Sequence, residues 1–412
     1  MRITLLRDKH IVLGVTGSIA AFKAADLASK LTQAGAQVDV ILTEGAQRFV
    51  TPLTFSALTG RAVHSDMWAT DGDADGHIAH VRLGEHAEGL LIAPASAHTI
   101  AKLAHGLADN LLTLTALAAR CPLLLAPAMD GGMYDHPATQ ANLQTLVERG
   151  AILIEPDEGR FASGLGGRGR LPETPALLGH VRRALGRNGA LAGRQVVVTA
   201  GGTREALDPV RHLGNRSSGK QGHALAQAAL DAGADVTLIS SARSLPTPVG
   251  ATRVVVDSAQ EMLEATLAAA RGADALIMAA AVADFRPAQR QTQKLRKREH
   301  GEGLQLDLEP TADVLLALAE QRSRHGRPRY LVGFAAESEQ LLQRAAEKLA
   351  RKKLDLVVAN DISAADAGFE VDDNRVALLA PGRAPEELPL MSKSAVAELV
   401  LARVARELVQ SL

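Results

Sequence analysis

The sequence predicts an α/β protein built from two doubly wound parallel sheets. Short β-branched runs alternate with segments rich in alanine and leucine along the chain, which is typical of βαβ units around a parallel sheet. The pattern stops in the glycine-punctuated segment 183–193 and then begins again. At about 150 residues per domain, a chain of 412 residues holds two or three domains. We therefore expect two domains, residues 1–189 and 190–412.

The first half begins with a strand and continues as strand and helix in turn. Its predicted strands are residues 10–15, 37–42, 89–92, 122–125 and 151–154. After the linker, a buried strand runs into a glycine-rich turn and a helix over residues 222–232. The remaining strands of the second half are residues 195–199, 235–239, 275–278 and 354–359. Ligands of such sheets bind beyond the carboxyl ends of the strands, so the loops there are the candidate sites.

Composition excludes several classes of function. The chain has 45 basic and 46 acidic residues, a net charge of −1, which argues against nucleic-acid coats and polybasic membrane proteins. Aromatic residues make up 2% of the chain, too few for the stacking surfaces of single-strand binding. The single cysteine, Cys121, cannot form an internal disulfide and fits a reducing compartment. No apolar run is long enough to span a membrane. We expect a cytoplasmic protein that binds neither nucleic acid nor membranes.

Small-residue loops follow three strands of the first half. The turn TGSIAA (16–21) lies between a strand and a helix, and its Gly17 and Ser18 suit an anion at a helix N-terminus. The other two are PASAHT (94–99) and PAMDGGM (127–133). Each loop alone is a weak signal, equally consistent with an ordinary strand-to-helix turn.

These loops, in this order, resemble the flavin-containing cysteine decarboxylase family across residues 8–180. The resemblance also rests on TEGAQRFVTPLTF (43–55) and on GHI (76–78). It implies a flavodoxin-like flavoprotein domain and an FMN cofactor that would oxidise the substrate so that its carboxylate can leave. His77 is the implied catalytic residue for thiol handling or proton transfer. The implied FMN contacts are Gly17, Ser18, Ile19, Thr43 and Ser96.

Two implied catalytic positions depart from the family pattern. Asp130 stands where the family has asparagine, and an ionised carboxylate there would repel the substrate carboxylate unless it is protonated, turned away or compensated. Ser163 stands in the flap where the family has a cysteine that donates a proton. Because a hydroxyl is a poorer acid than a thiol, either Ser163 positions water or another group donates the proton.

The second half carries generic nucleotide signals. Residues 214–221 (GNRSSGKQ) nearly match a P-loop, but Gln221 offers no hydroxyl for magnesium, so we reject Walker-type ATP binding and keep an anion cradle as an alternative. Basic clusters lie at residues 294–298, 322–329 and 348–353. Such clusters are most often solvated helix faces. A triphosphate would use only a few of these lysines.

Residues 191–412 resemble phosphopantothenate–cysteine ligases, a nucleotide-binding Rossmann-like domain. The matching stretches include TAGGTREALDPVRHLGNRSSGKQG (199–222), AAAVADFRP (279–287) and GFAAES (333–338). The resemblance implies CTP as nucleotide, with Mg²⁺ and with Asn215 bonded to the acyl-cytidylate. The implied CTP contacts are Ala279, Ala280, Asp284, Lys294, Ala312, Asp313, Val314, Leu315, Phe334, Lys348 and Lys352.

Together the halves resemble the bifunctional coenzyme A biosynthesis family. The expected substrates are 4'-phosphopantothenate, cysteine and CTP, and the expected product is 4'-phosphopantetheine. Two alternatives remain: a ligase whose decarboxylase is impaired or modified, and a flavin-binding regulatory subunit. The resemblance also implies a homo-oligomer with trimeric flavin domains and dimeric ligase domains, consistent with a dodecamer. It gives no metal ligands.

Overall fold

The computed structural model describes residues 4–68, 78–160, 164–296, 303–337, 339–361 and 371–410. The chain divides into two compact units, residues 1–186 and residues 187–412. The segment in which we placed the linker is helical up to Gly186.

The first unit is built on a six-stranded parallel sheet in the order β3-β2-β1-β4-β5-β6. The strand order reverses at β1, so the carboxyl ends of β1, β2 and β4 meet at one edge. The strands are β1 (His10–Val15), β2 (Gln37–Leu42), β3 (Val63–His64), β4 (Gly89–Ala95), β5 (Leu123–Pro127) and β6 (Ile152–Leu153). A short 3₁₀ turn precedes them at Thr4–Leu6.

Helices cover both faces of this sheet, because successive strand residues point to opposite faces. On β1, Ile11 and Leu13 pack into one buried cluster with the first and last helices, whereas Val12 packs into the other. The helices are α1 (Ala21–Gln33), α2 (Glu44–Gln47), α3 (Pro52–Thr59), α4 (Ala79–His86), α5 (Ala97–His105), α6 (Leu111–Ala118), α7 (Gly131–Tyr134), α8 (Pro137–Glu148) and α9 (Thr174–Gly186).

An antiparallel hairpin extends from the first unit between β6 and α9. It pairs β7 (Asp157–Arg160) with β8 (Gly166–Arg170). The N–H of Met129 donates to the carbonyl oxygen of Gly169 at 3.0 Å, which ties the hairpin to the loop after β5.

The second unit is built on an eight-stranded sheet in the order β13-β12-β9-β14-β17-β18-β20-β21. Its strands are β9 (Gln195–Ala200), β12 (Asp235–Ser240), β13 (Ala251–Val255), β14 (Ala275–Met278), β17 (Tyr330–Glu337), β18 (Leu356–Asp361), β20 (Val376–Leu379) and β21 (Glu386–Glu387). Six strands are parallel, but β20 and β21 are antiparallel to their neighbours. The predicted doubly wound fold class is confirmed in both units, and the second sheet is extended by these two strands.

Three short pairs and five helices complete the described part of this unit. The pairs are β10 (Arg204–Ala206) with β11 (His212–Gly214), β15 (Phe285–Pro287) with β16 (Leu308–Pro310), and β19 (Asp373–Asn374) with β22 (Met391–Ser392). The helices are α10 (Lys220–Asp231), α11 (Ala259–Ala270), α12 (Val314–His325), α13 (Leu341–Arg351) and α14 (Lys393–Gln410). Helices α10 and α14 pack on one face of the sheet, and α11, α12 and α13 pack on the other.

Helix α10 begins two residues earlier than the sequence predicted. Gly219 precedes it with φ +76°, a backbone conformation that favours glycine. A Cβ at Gly219 would lie 2.5 Å from Cβ of Ala242, so space as well as conformation restricts this position. The hairpin strand β11, which pairs antiparallel with β10, precedes this loop. The loop therefore lacks the directly preceding parallel strand of a P-loop.

Arginines of the cluster 322–329 pair with aspartates. Arg322 lies 2.7 Å from Asp355, and Arg327 lies 2.8 Å from Asp274. This cluster therefore stabilises the unit by ion pairing. Among the described residues, no helix is long and apolar enough to cross a membrane.

Candidate functional site

Four loops of the first unit meet at the carboxyl edge of its sheet. The buried Thr16 joins two of them: its hydroxyl donates to the carbonyl oxygen of Pro94 at 2.7 Å and accepts the N–H of Ser96 at 2.9 Å. The hydroxyl of Ser18 donates to the carbonyl oxygen of Ala128 at 3.2 Å, which adds the loop after β5. The loops that resemble flavoproteins thus form one connected crevice.

The fourth loop, which follows β2, contacts the loop after β1 through two glycines. A Cβ on Gly17 would lie 3.2 Å from the backbone of Gly45, and a Cβ on Gly45 would lie 3.3 Å from Cα of Gly17. These two glycines let the loops after β1 and β2 touch backbone to backbone. A side chain at either position would push these two loops apart.

Two predicted FMN contacts are helix caps. Thr43 accepts the N–H of Ala46 at 3.2 Å, and Ser96 accepts the N–H of Thr99 at 3.3 Å. Helices α2 and α5 therefore both begin at the crevice. The N–H groups in the first turn of the longer helix, α5, favour an anion there. Ile19 is 63% exposed at the same edge and offers an apolar surface. Hydroxyls, N–H groups and an apolar side chain suit a flavin and its phosphate.

Asp130 caps the short helix α7. Its Oδ1 accepts the N–H of Gly132 at 3.1 Å, a bond that an asparagine at this position would also make. One carboxylate oxygen is therefore occupied by the cap.

A polar cluster joins this loop to the hairpin. The hydroxyl of Tyr134 donates to Oε2 of Glu155 at 2.8 Å, and Arg168 of β8 donates to the same oxygen at 2.8 Å. Burial, together with Glu155, raises the pKa of Tyr134 to about 12. The phenol is therefore a fixed donor at neutral pH.

The predicted catalytic residues His77 and Ser163 lie outside the described residues.

The second unit contains a cavity of about 680 Å³ at the carboxyl ends of β14 and β17. This volume is in the range of small-molecule sites. Asn215 lines the cavity, and so do all the residues predicted to contact CTP except Lys294: Ala279, Ala280, Asp284, Ala312, Asp313, Val314, Leu315, Phe334, Lys348 and Lys352.

Two lysines of this cavity are held in different ways. Lys348 donates to the carbonyl oxygen of Phe334 at 2.6 Å. Burial, with a contribution from nearby Lys352, lowers the pKa of Lys348 to about 8. Lys352 forms an ion pair with Asp313, with Nζ 2.9 Å from Oδ2. Asp313 also caps α12, accepting the N–H groups of Leu315 and Leu316. The cavity therefore presents positive charge fixed by backbone and carboxylate partners.

The loop 215–222 forms the facing wall. The amide of Asn215 donates to the carbonyl oxygen of Val282 at 3.0 Å, next to Asp284. Residues 215–218 also border a second cavity of about 490 Å³, lined by Arg204, Arg216 and Arg243 among others. Lys294 lies on an exposed segment outside the lining of the larger cavity.

The sequence prediction missed four polar residues of the cavity: Thr311, Asn360, Asn374 and Lys393. Asn360 is 8% exposed, and its Oδ1 has no hydrogen-bond partner among the described residues. Asn374 donates to Oε1 of Gln221 at 3.0 Å, and the Lys393 ammonium donates to the carbonyl oxygen of Val371. Asn360 is the penultimate residue of the buried strand β18, and its place near the carboxyl end of that strand was the available sequence signal. Among the described residues, no cluster of three or more metal-ligating side chains occurs.

Comparison with known proteins identifies both units. A family model described as "Flavoprotein" matches residues 3–186, and one described as "DNA/pantothenate metabolism flavoprotein C-terminal domain" matches residues 191–408. The coenzyme A biosynthesis bifunctional protein CoaBC of Bacillus subtilis (strain 168) is 44% identical over 404 residues, covering 97% of this chain and 98% of the relative. The chain belongs to the CoaBC family.

A second CoaBC protein agrees with this assignment. The Mycobacterium tuberculosis (strain H37Rv) member is 45% identical over 404 residues, covering 95% of each chain. A crystal structure of the C-terminal domain of a CoaBC protein is 36% identical, covers 54% of this chain and 99% of that chain, and has a TM-score of 0.45. The family predicted from motifs is confirmed. As a CoaBC family member, the chain is a bifunctional enzyme of coenzyme A biosynthesis, with a flavoprotein decarboxylase domain followed by a ligase domain.

Proposed function

We propose that the second unit joins cysteine to 4'-phosphopantothenate at the expense of CTP. The observation that carries this proposal is the 680 Å³ cavity, which gathers Asn215, Asp284, Lys348 and Lys352 at one sheet edge. In the first step, the substrate carboxylate attacks the α-phosphorus of CTP with Mg²⁺ and releases pyrophosphate. The cysteine amine then attacks the acyl-cytidylate carbonyl and expels CMP.

The residues of the cavity have distinct tasks in these steps. The ammonium groups of Lys348 and Lys352 stabilise negative charge that develops on the phosphates. Lys294 contributes a further cation to the triphosphate. The amide of Asn215 lies beside Val282 and supplies a hydrogen bond to the acyl intermediate.

The ligase is tested by pyrophosphate release from CTP. Release should require phosphopantothenate and Mg²⁺, and chelation of Mg²⁺ should abolish it. CMP release should require cysteine in addition. If ATP were used equally well, the assignment of CTP would be wrong.

In the first unit, we assign Gly17, Ser18, Ile19, Thr43 and Ser96 to FMN. When bound, FMN would accept two electrons from the Cβ–thiol unit of the ligase product, which lets the carboxylate leave as carbon dioxide, and would return both electrons in the last step to give the thiol product. His77 handles the thiol or its proton, and Asp130 contacts the substrate region from the cap of α7. A purified protein without visible flavin absorbance would contradict this assignment.

Ser163 replaces the flap thiol in this reaction. We assign it the placement of a water molecule for the final protonation, because its hydroxyl is a weak acid. Carbon dioxide release from phosphopantothenoylcysteine tests both catalytic residues. His77→Asn should abolish release, whereas Ser163→Ala, which affects the step after the carboxylate has left, should slow release over repeated turnovers. Equal rates in all three proteins would remove both residues from the mechanism.

The last part of the proposed function concerns the oligomeric state of the protein and its compartment. Ile19, Phe22 and Leu53 are exposed apolar side chains of the first unit, and a subunit interface would cover such side chains where they form one patch. We propose a homo-oligomer of trimeric flavin domains and dimeric ligase domains in the cytoplasm. Sedimentation of the purified chain as a monomer would contradict it.

A further inference from the structure

Asp208 is a buried carboxylate outside the cavity lining. It lies in the turn between β10 and β11, is 2% exposed and uses both oxygens. Its Oδ1 accepts the N–H groups of Val210 and Arg211, each at 2.7 Å, and so closes the turn. Its Oδ2 accepts the N–H of Leu295 at 3.1 Å, a residue distant in sequence.

The segment 288–296, which we call the strap, carries Lys294 and is held against this turn. A second backbone bond holds the strap: the N–H of Gln291 donates to the carbonyl oxygen of Leu207 at 2.9 Å. The Arg211 guanidinium donates to the carbonyl oxygen of Leu295 at 2.9 Å and to Oδ2 of Asp208 at 2.8 Å. Asp208 therefore contacts the strap directly and also orients the arginine that holds it.

Both segments lead to the proposed reaction centre. Strand β11 ends at Gly214, and Asn215 follows at the wall of the cavity. The strap begins after β15, which follows the cavity residue Asp284. Burial alone would raise the pKa of Asp208, but the N–H groups of Val210, Arg211 and Leu295, with the Arg211 charge, lower it. The carboxylate is thus ionised at neutral pH and keeps its four bonds.

We infer that Asp208 is a positioning residue for Lys294. By anchoring the strap to the turn, it holds an otherwise exposed lysine where the lysine reaches the triphosphate. This inference rests on the proposed function, in which Lys294 binds CTP. Without the anchor, Lys294 would have to be ordered when the nucleotide binds, and that entropy would weaken binding.

The two oxygens have separate partners, which permits a selective test. In Asp208→Asn, the retained Oδ1 still accepts from the turn, whereas Nδ2 replaces the acceptor of Leu295 and Arg211. We expect the KM for CTP to rise about 10-fold, as loss of a charge-assisted buried bond predicts. The KM values for phosphopantothenate and cysteine should change by less than about twofold.

Asp274→Asn is the matched control. Asp274 is also buried and accepts a backbone N–H, that of Gln195, and an arginine, Arg327, but it lies at the opposite end of the sheet. This variant should lower the melting temperature and leave the KM for CTP unchanged. If Asp208→Asn does not fold, Asp208→Glu, which keeps the charge but moves the oxygens, takes its place.

The double variant Asp208→Asn/Lys294→Ala separates positioning from general structure. If Asp208 acts through Lys294, the double variant has the KM of Lys294→Ala alone. Multiplied effects, or a wild-type KM in Asp208→Asn, would overturn the inference. If the wild-type protein uses CTP but the variants give either of these two results, the inference about Asp208 fails and the proposed function stands. If the wild-type protein does not use CTP, the inference and the proposed function both fail.

Discussion

Lys352 Nζ lies 2.9 Å from Oδ2 of Asp313, which joins the end of α13 to the first turn of α12. Burial alone would raise the pKa of Asp313, but Lys352 and the capping N–H groups lower it. A carboxyl whose folded pKa is lowered stabilises the fold above its unfolded pKa, and that stability is lost as pH falls through the folded value.

The ion pair should therefore contribute to stability at neutral pH. We expect Lys352→Met to lower the free energy of unfolding of the second unit by about 1 kcal/mol at pH 7, a modest figure because Asp313 is partly exposed. The difference should shrink as pH falls below the ordinary pKa of an aspartate. Urea unfolding at both pH values measures it, and an equal loss at low pH would contradict the pairing.

The lowered pKa of Lys348 predicts a pH dependence of the ligase. Above the value of about 8 the amine loses its charge, so the KM for CTP should rise with pH, about tenfold for each further unit. Lys348→Met should show a high KM without this rise. Initial rates of pyrophosphate release across pH measure the effect. A wild-type KM independent of pH would show that this ammonium does not bind the triphosphate.

Asp130→Asn should improve the decarboxylase. Both side chains cap α7, so the free energy of unfolding should change by less than about 0.5 kcal/mol. Removing the negative charge beside the substrate carboxylate should raise kcat/KM about tenfold. Carbon dioxide release from phosphopantothenoylcysteine measures this, and a loss of activity would mean that the carboxylate takes part in the reaction.

Gly17→Ala should impair flavin binding. The added Cβ would meet the Gly45 backbone, which cannot move aside as a flexible side chain can. Gly89→Ala is the control, because its Cβ would lie 3.5 Å from Ile11, an ordinary contact. Visible absorbance of the purified proteins measures bound flavin. Equal absorbance in both variants would remove Gly17 from the flavin site.

The sequence predicted most of the parallel strands of each unit, because β-branched runs such as residues 195–200 are buried on both faces. It missed three parallel strands: the short β3, the edge strand β13 and the central strand β17. It did not indicate the antiparallel strands β20 and β21, which are short and follow a long connection. The start of α10 was misplaced because the left-handed conformation of Gly219 depends on packing against Ala242.

The candidate site was predictable where its residues follow strands. Thr16 and Ser96 lie directly after β1 and β4, where the fold rule places ligands. Phe334 lies within β17, a strand that was not predicted, and its assignment came from the resemblance. Asn374 and Lys393 reach the cavity through the antiparallel pairings of β18 with β20 and of β19 with β22, which no local pattern announces. The anchoring of the strap by Asp208 is likewise a contact between residues far apart in sequence.

The most direct test of the account uses the whole chain in one reaction. Cysteine labelled at its carboxyl carbon is supplied with phosphopantothenate, CTP and Mg²⁺, and labelled carbon dioxide is measured together with CMP. We expect the two products in equal amounts, with no labelled carbon dioxide when CTP is omitted. Release of CMP without labelled carbon dioxide would contradict the claim that both units act in sequence.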